Sequence, residues 1–179
     1  FLKSDHILCI FRLVINMKVY MKKLISLFVL LFVWMVMPAS VSAKVVIMET
    51  GAYIIEEDEV INDDLFIGAE SVEILGTVNG DVYVGTATFN MEGDISGDLF
   101  VGAGSVNISG RIGDDLRIGS GNINIKETTI GDGVSIGGGS IMIDKDTTIG
   151  GSLLAGVGTL TSRASVVRNV MVGGGNVVI

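Results

Sequence analysis

Apolar residues return along this chain at fixed intervals. From Val60 onward the gaps between apolar places run 4, 2, 5, 2, 4, and the whole pattern recurs every 17 to 19 residues. The copies start at Val60, Thr77, Asp94, Arg111, Thr129, Thr148 and Ser165. In the third copy the apolar places 2, 6, 8, 13 and 15 are Ile95, Leu99, Val101, Val106 and Ile108. Across all seven copies only Ser162, at place 15 of the sixth, departs from the pattern. Places 6 and 8, like 13 and 15, are two residues apart, which puts both side chains of a pair on one face of a strand. Most are Ile and Val, whose branched Cβ suits a pleated surface better than a helix. Ser96-Gly97-Asp98 is a turn signal between two such strands. The ninth place is Gly in every copy (Gly68, Gly85, Gly102, Gly119, Gly137, Gly156 and Gly173). These glycines read as corners that need a positive φ.

A unit this short cannot bury its apolar face by itself, so each copy must stack on its neighbours. The fold class that follows is all-β: a single-stranded β-helix, or β-solenoid, of about seven rungs of 17–19 residues over 60–179. Strands of two to four residues with corners between them give a roughly triangular section. Seven rungs stacked at about 4.8 Å make a rod about 34 Å long. Extra residues fall near Lys126-Glu127-Thr128 and Asp144-Lys145-Asp146, where corners tolerate them. Residues 44–59 fit the template poorly and read as an atypical first rung or N-terminal cap, with Glu56-Glu57-Asp58-Glu59 as an acidic cluster. Val177-Val178-Ile179 stops in mid-strand. The expectation there is either a repeat region truncated at its C-terminus or an assembly edge, because an unpaired strand edge invites pairing with another chain.

The segment before the repeats is different in kind. Residues 1–43 contain no Gly, yet hold the only Trp, Pro, Cys and His (Trp34, Pro38, Cys9 and His6). Met21-Lys22-Lys23, an apolar run Leu24–Met37 and small residues at Val41 and Ala43 have the layout of a signal peptide over 21–43, with Lys44 as the first mature residue. The alternative is an uncleaved N-terminal anchor, for which the run is short against the ~20 residues of a span. Residues 1–20 are expected to be non-coding or alternative-start sequence.

The part after the leader carries seven Lys and Arg against nineteen Asp and Glu, a net charge of −12. That balance argues against nucleic acid or an anionic lipid surface as partner. With no Cys and no His there, disulfides and soft-metal sites have no ligands to draw on. Gly137-Gly138-Gly139 and Gly173-Gly174-Gly175 lack the following Lys-Ser/Thr and helix of a phosphate loop, so no nucleotide is expected. No cofactor is expected either.

Val78-Asn79-Gly80-Asp81-Val82-Tyr83-Val84 and Ile95-Ser96-Gly97-Asp98-Leu99-Phe100-Val101 resemble the repeat of the bactofilins, the polymer-forming cytoskeletal proteins of bacteria. The resemblance spans about 60–179. It implies a right-handed, three-sided β-helix and self-assembly through the end rungs into nonpolar filaments without nucleotide. It also implies a scaffolding role beside membranes or envelope proteins. The signal peptide departs from the usual cytoplasmic members and resembles exported, membrane-associated relatives, which points to the cell envelope.

Few outward columns remain for chemistry. Place 5 carries Asp64, Asp81, Asp98 and Asp115, a candidate Ca²⁺ ladder of hard oxygen ligands; alternatively each Asp caps its own turn by accepting nearby backbone N–H groups. The column breaks at Gly133, Ser152 and Asn169. Place 7 carries Phe66, Tyr83 and Phe100, a stripe that could bind a cell-wall or surface glycan or a partner face, or simply stack across strands. No general base or acid–base pair is evident, so an enzyme is not expected. The function expected is a self-assembling envelope scaffold, with a glycan-binding module as the alternative.

Overall fold

The computed structural model describes residues 43–47 and 51–179, with Ser26 the one described position ahead of them. The 1–20 extension and the leader, apart from Ala43 and Ser26, lie outside the described residues. The described repeats belong to one compact unit, Ser42–Ile179.

Fourteen strands form a parallel β-solenoid of about eight turns. The first turn holds β1 (Ala43–Ile47) and β2 (Ala52–Ile55). The next three hold β3 (Val60–Ile61) and β4 (Asp64–Ile74), β5 (Thr77–Val78) and β6 (Val82–Met91), then β7 (Asp94–Ile95) and β8 (Leu99–Ile112). β9 (Leu116–Ile130) and β10 (Val134–Ile143) follow. β11 (Thr148–Ile149) and β12 (Leu153–Ser162), then β13 (Ser165–Val166) and β14 (Val170–Val178), complete the stack. From β3 onward each turn pairs with the next through three segments, at places 1–2, 6–10 and 12–15, so the coil has three sides; the first turn pairs through β1 and β2 alone. Register is kept place for place: Leu65, Val82, Leu99, Leu116, Val134, Leu153 and Val170 are successive partners.

Every inward place of the first six copies is buried, Ser162 included. The largest of these side chains, Phe89, is fully buried at place 13 of the second copy. Burial of each such Ile, Val or Leu contributes about 1.5–3 kcal/mol before chain entropy is subtracted. In the seventh copy the same places open to solvent, with Val170 43% and Ile179 71% exposed. Among the described residues β14 pairs only with β12.

Two features, strand length and the place of the glycines, differ from the sequence expectations, and the first rung takes one of the two forms expected of it. The strands are longer than two to four residues, because the ladder runs through the first corner and breaks for one residue only, at place 11 (Ala87 opposite Gly104, for example). Residues 43–47 and 52–55 pair in register with Asp64–Gly68 and Ser71–Ile74, so the irregular segment ahead of the repeats supplies an additional rung. The ninth-place glycines are not corners. They sit inside the ladder, Gly68 opposite Gly85 and Gly85 opposite Gly102, and positive-φ glycines among the described residues are Gly51 and Gly110 instead. The first insertion does fall at a corner. Between Ile108 and Gly110 the register shifts against β9, where Glu127 adopts φ 46° and the buried Thr128 hydroxyl donates to the carbonyl of Lys126 (2.7 Å) or Ile108 (3.2 Å).

Candidate functional site

The place-5 aspartates stand where the backbone ladder is incomplete. The place-6 N–H of each turn donates to the place-5 carbonyl of the next, as Leu99 does to Asp115 at 2.9 Å. The place-5 N–H needs an acceptor of its own, and the aspartate one turn earlier supplies it. Asp64 Oδ1 accepts from the N–H of Asp81, Asp81 Oδ1 from Asp98 and Asp98 Oδ1 from Asp115, each at 2.9 Å. Asp115 Oδ1 accepts from Gly133 at 2.8 Å, and there the column ends because Gly133 has no side chain to continue it. Each aspartate therefore caps the following turn, not its own. These are charge-assisted bonds across the stacking direction, and they hold one turn to the next.

The second oxygens face outward. Asp98 Oδ2 and Asp115 Oδ2 both meet Arg117, at 3.1 and 2.6 Å. Among the described residues no Lys or Arg pairs with Asp64 or Asp81. The geometry of the proposed Ca²⁺ ladder thus commits one oxygen of every carboxylate to backbone N–H, and the outer oxygens of two of the four to a guanidinium. Among the described residues no three acidic, His or Cys side chains converge as a metal cage.

Place 7 forms a continuous stack. The Phe66 and Tyr83 rings lie 4.5 Å apart at 5°, and the Tyr83 and Phe100 rings 4.7 Å apart at 11°. Arg117, at place 7 of the next copy, closes the stack with its guanidinium 4.8 Å from the Phe100 centroid. Both faces of Tyr83 and both faces of Phe100 are therefore occupied, and the stripe offers ring edges to solvent. The Tyr83 hydroxyl titrates above its ordinary value, first because it is desolvated and then because Asp81, Asp64 and Asp98 lie near, with Arg117 opposing them.

Beside the stack runs a groove of about 560 Å³, bordered by Val45, Ile47 and the three rings and floored by the ninth-place glycines Gly68, Gly85, Gly102 and Gly119. A Cβ at Gly68, Gly85 or Gly119 would meet nothing within 4 Å, so the fold itself does not call for glycine there. On another side of the coil, Asn107 Nδ2 donates to Asn90 Oδ1 at 2.9 Å, while the buried Asn124 Oδ1 in line with them has no partner. The end-edge residues Val177, Val178 and Ile179 are exposed and lie away from both columns.

Arg117, the open glycine strip and the asparagine column were not picked out from the sequence. Arg117 was legible in principle, since it holds place 7 directly after Phe100. The ninth-place glycines are evident in the sequence, but their regular spacing suggests corners and not an open strip. Comparison of the chain with protein-family models, with curated proteins and with solved structures finds no match, so the fold stands as a β-solenoid without an assigned family.

Proposed function

We propose that this chain is a structural, self-assembling scaffold of the bacterial cell envelope, bactofilin-like in its repeat, which polymerises through its end rungs without nucleotide and has no catalytic role. The observation that carries the reading is the uniform register. Every turn from β4 to β14 meets the next place for place, so a turn of a second copy presents the same donors, acceptors and apolar places as the next turn of this one. Val170, Val177 and Ile179 occupy places that are buried in the turns before them, so the last described turn keeps the apolar pattern on which a further turn, of this chain or of another, would stack. The exported location rests on the layout of residues 21–43.

The second reading, an exported binding module for a cell-wall or surface glycan, rests on Phe66, Tyr83 and Phe100. Sugar rings pack on aromatic faces, and here the faces pack on one another. Electron microscopy of the purified protein separates the two. Filaments that form without added nucleotide support the scaffold. A monodisperse rod that co-sediments with peptidoglycan supports the binder and sinks the scaffold.

A further inference from the structure

We infer that the groove beside the aromatic stack is a docking site for an extended, cationic segment of a partner protein. Three observations lead there. The first is shape: the groove is shallow and crosses several turns, from Val45 and Ile47 to Arg117. Val45 is 62% and Ile47 79% exposed, so its apolar border faces solvent. A long open strip suits a stretch of chain better than a compact small molecule.

The second is charge. Between Lys44 and Gly110 the chain has thirteen Asp and Glu and one basic residue, Lys44. From Arg111 to Ile179 six acids balance six bases. The net charge of the part after the leader therefore lies in the turns that carry the three rings and the first three floor glycines, while the groove's own charged lining residue is Arg117. The aspartate column runs along its edge, close enough for Asp81, Asp64 and Asp98 to act on the Tyr83 hydroxyl.

The third is a worked example inside the molecule. Arg117 lays its guanidinium against Phe100 and bridges the carboxylates of two successive turns. Aromatic and carboxylate columns two places apart thus accept a guanidinium when one is supplied. Asp64 and Asp81 also have outer oxygens without a basic partner among the described residues; the Tyr83 ring holds the place that Arg117 fills between Asp98 and Asp115, so a cation reaches this pair from outside the stack. A segment bearing Arg or Lys would bring its charges to these carboxylates and its apolar residues onto the glycine floor, where backbone is bare.

The test measures fluorescence anisotropy of a labelled peptide of alternating Arg and Leu, with the Glu-for-Arg peptide as control, against the full chain at 0.15 M salt. Two kinds of variant separate groove from general charge. Asp64→Asn with Asp81→Asn removes charge yet keeps the Oδ1 that accepts each backbone N–H. Gly85→Leu, and separately Gly119→Leu, fill the strip without altering charge and add a Cβ where nothing stands within 4 Å. Affinity for the Arg-Leu peptide is expected to fall at least about tenfold in every variant, with melting unchanged, and the Glu peptide is expected not to bind. Undiminished affinity in both glycine variants overturns the proposal, because attraction would then be diffuse. Self-association of the parent that either glycine substitution abolishes also overturns it, because the strip would then hold a second copy.

Discussion

Asp81 Oδ1 accepts the backbone N–H of Asp98 at 2.9 Å, so a side chain of one turn completes the hydrogen bonding of the next. Removing it leaves that N–H half-buried with no acceptor. Asp81→Ala is expected to destabilise the rod by about 1 kcal/mol, the ordinary cost of an unmade bond. Asp81→Asn keeps an oxygen in place and relieves repulsion from Asp64 and Asp98, so its effect is expected to stay within about 0.5 kcal/mol. Urea unfolding of the two variants checks this, and equal destabilisation by both would show that charge, not the acceptor, matters at this position.

The glycines divide by what a methyl group would meet. At Gly102 the nearest atom to an added Cβ is the Val84 carbonyl oxygen at 3.9 Å, an ordinary contact. At Gly113 the Cβ would run into the carbonyl of Ser96 on the preceding turn. Gly102→Ala is therefore expected to leave stability within about 0.5 kcal/mol. Gly113→Ala is expected to cost on the order of 2 kcal/mol or more, because two stacked backbones must separate. Thermal melts of the pair decide it, and a comparable loss in both would mean that the strip is needed by the fold after all.

Core, rungs and insertions were legible in the sequence because each is a matter of period. The inward places follow from alternation, and even Ser162 is buried, since its place and not its polarity sets its direction. Corners were less legible. A Gly at a fixed place is compatible with a turn, with close backbone approach or with an empty surface, and the sequence does not distinguish Gly102 from Gly113. The role of the aspartates was half legible. Their spacing suggested a bond to backbone N–H, but whether that N–H lies in the same turn or the next depends on the offset between place-5 oxygens and the ladder. Segment 44–59 was legible only as an atypical rung or a cap, because the apolar Val45 and Ile47 stand at outward places, opposite Phe66 and Gly68, and are exposed.

Tyr83 links the stripe to pH. Its hydroxyl is held protonated above the usual tyrosine value by desolvation and by Asp81, Asp64 and Asp98. A group whose pKa is raised on folding binds more protons folded than unfolded between the two values, so stability falls as pH rises through that window. Below about pH 10, where unfolded tyrosine is still protonated, the residue contributes no slope. The melting temperature is therefore expected to drop more steeply above about pH 10 in the parent than in Tyr83→Phe. Matching profiles from pH 9 to 11.5 would show that Tyr83 is not coupled to folding.

Leu99 and the last described turn, β14, separate core stability from assembly. Leu99 and Val170 occupy the same place in different copies, but Leu99 is fully buried and Val170 is 43% exposed. Leu99→Ala is expected to cost about 2–5 kcal/mol of rod stability, the range for a large-to-small change in a packed core. Val170→Lys has little core to disturb, so the melting of the dispersed rod should shift by no more than a few degrees. A Lys on a strand edge opposes pairing, because its charge would be carried into a joint that must exclude water. If the outer face of β14 is a joint between copies, Val170→Lys is expected to abolish pelletable polymer while the rod itself stays folded. Sedimentation at matched concentration reads this directly. A variant that pellets like the parent would place the joint elsewhere on the solenoid.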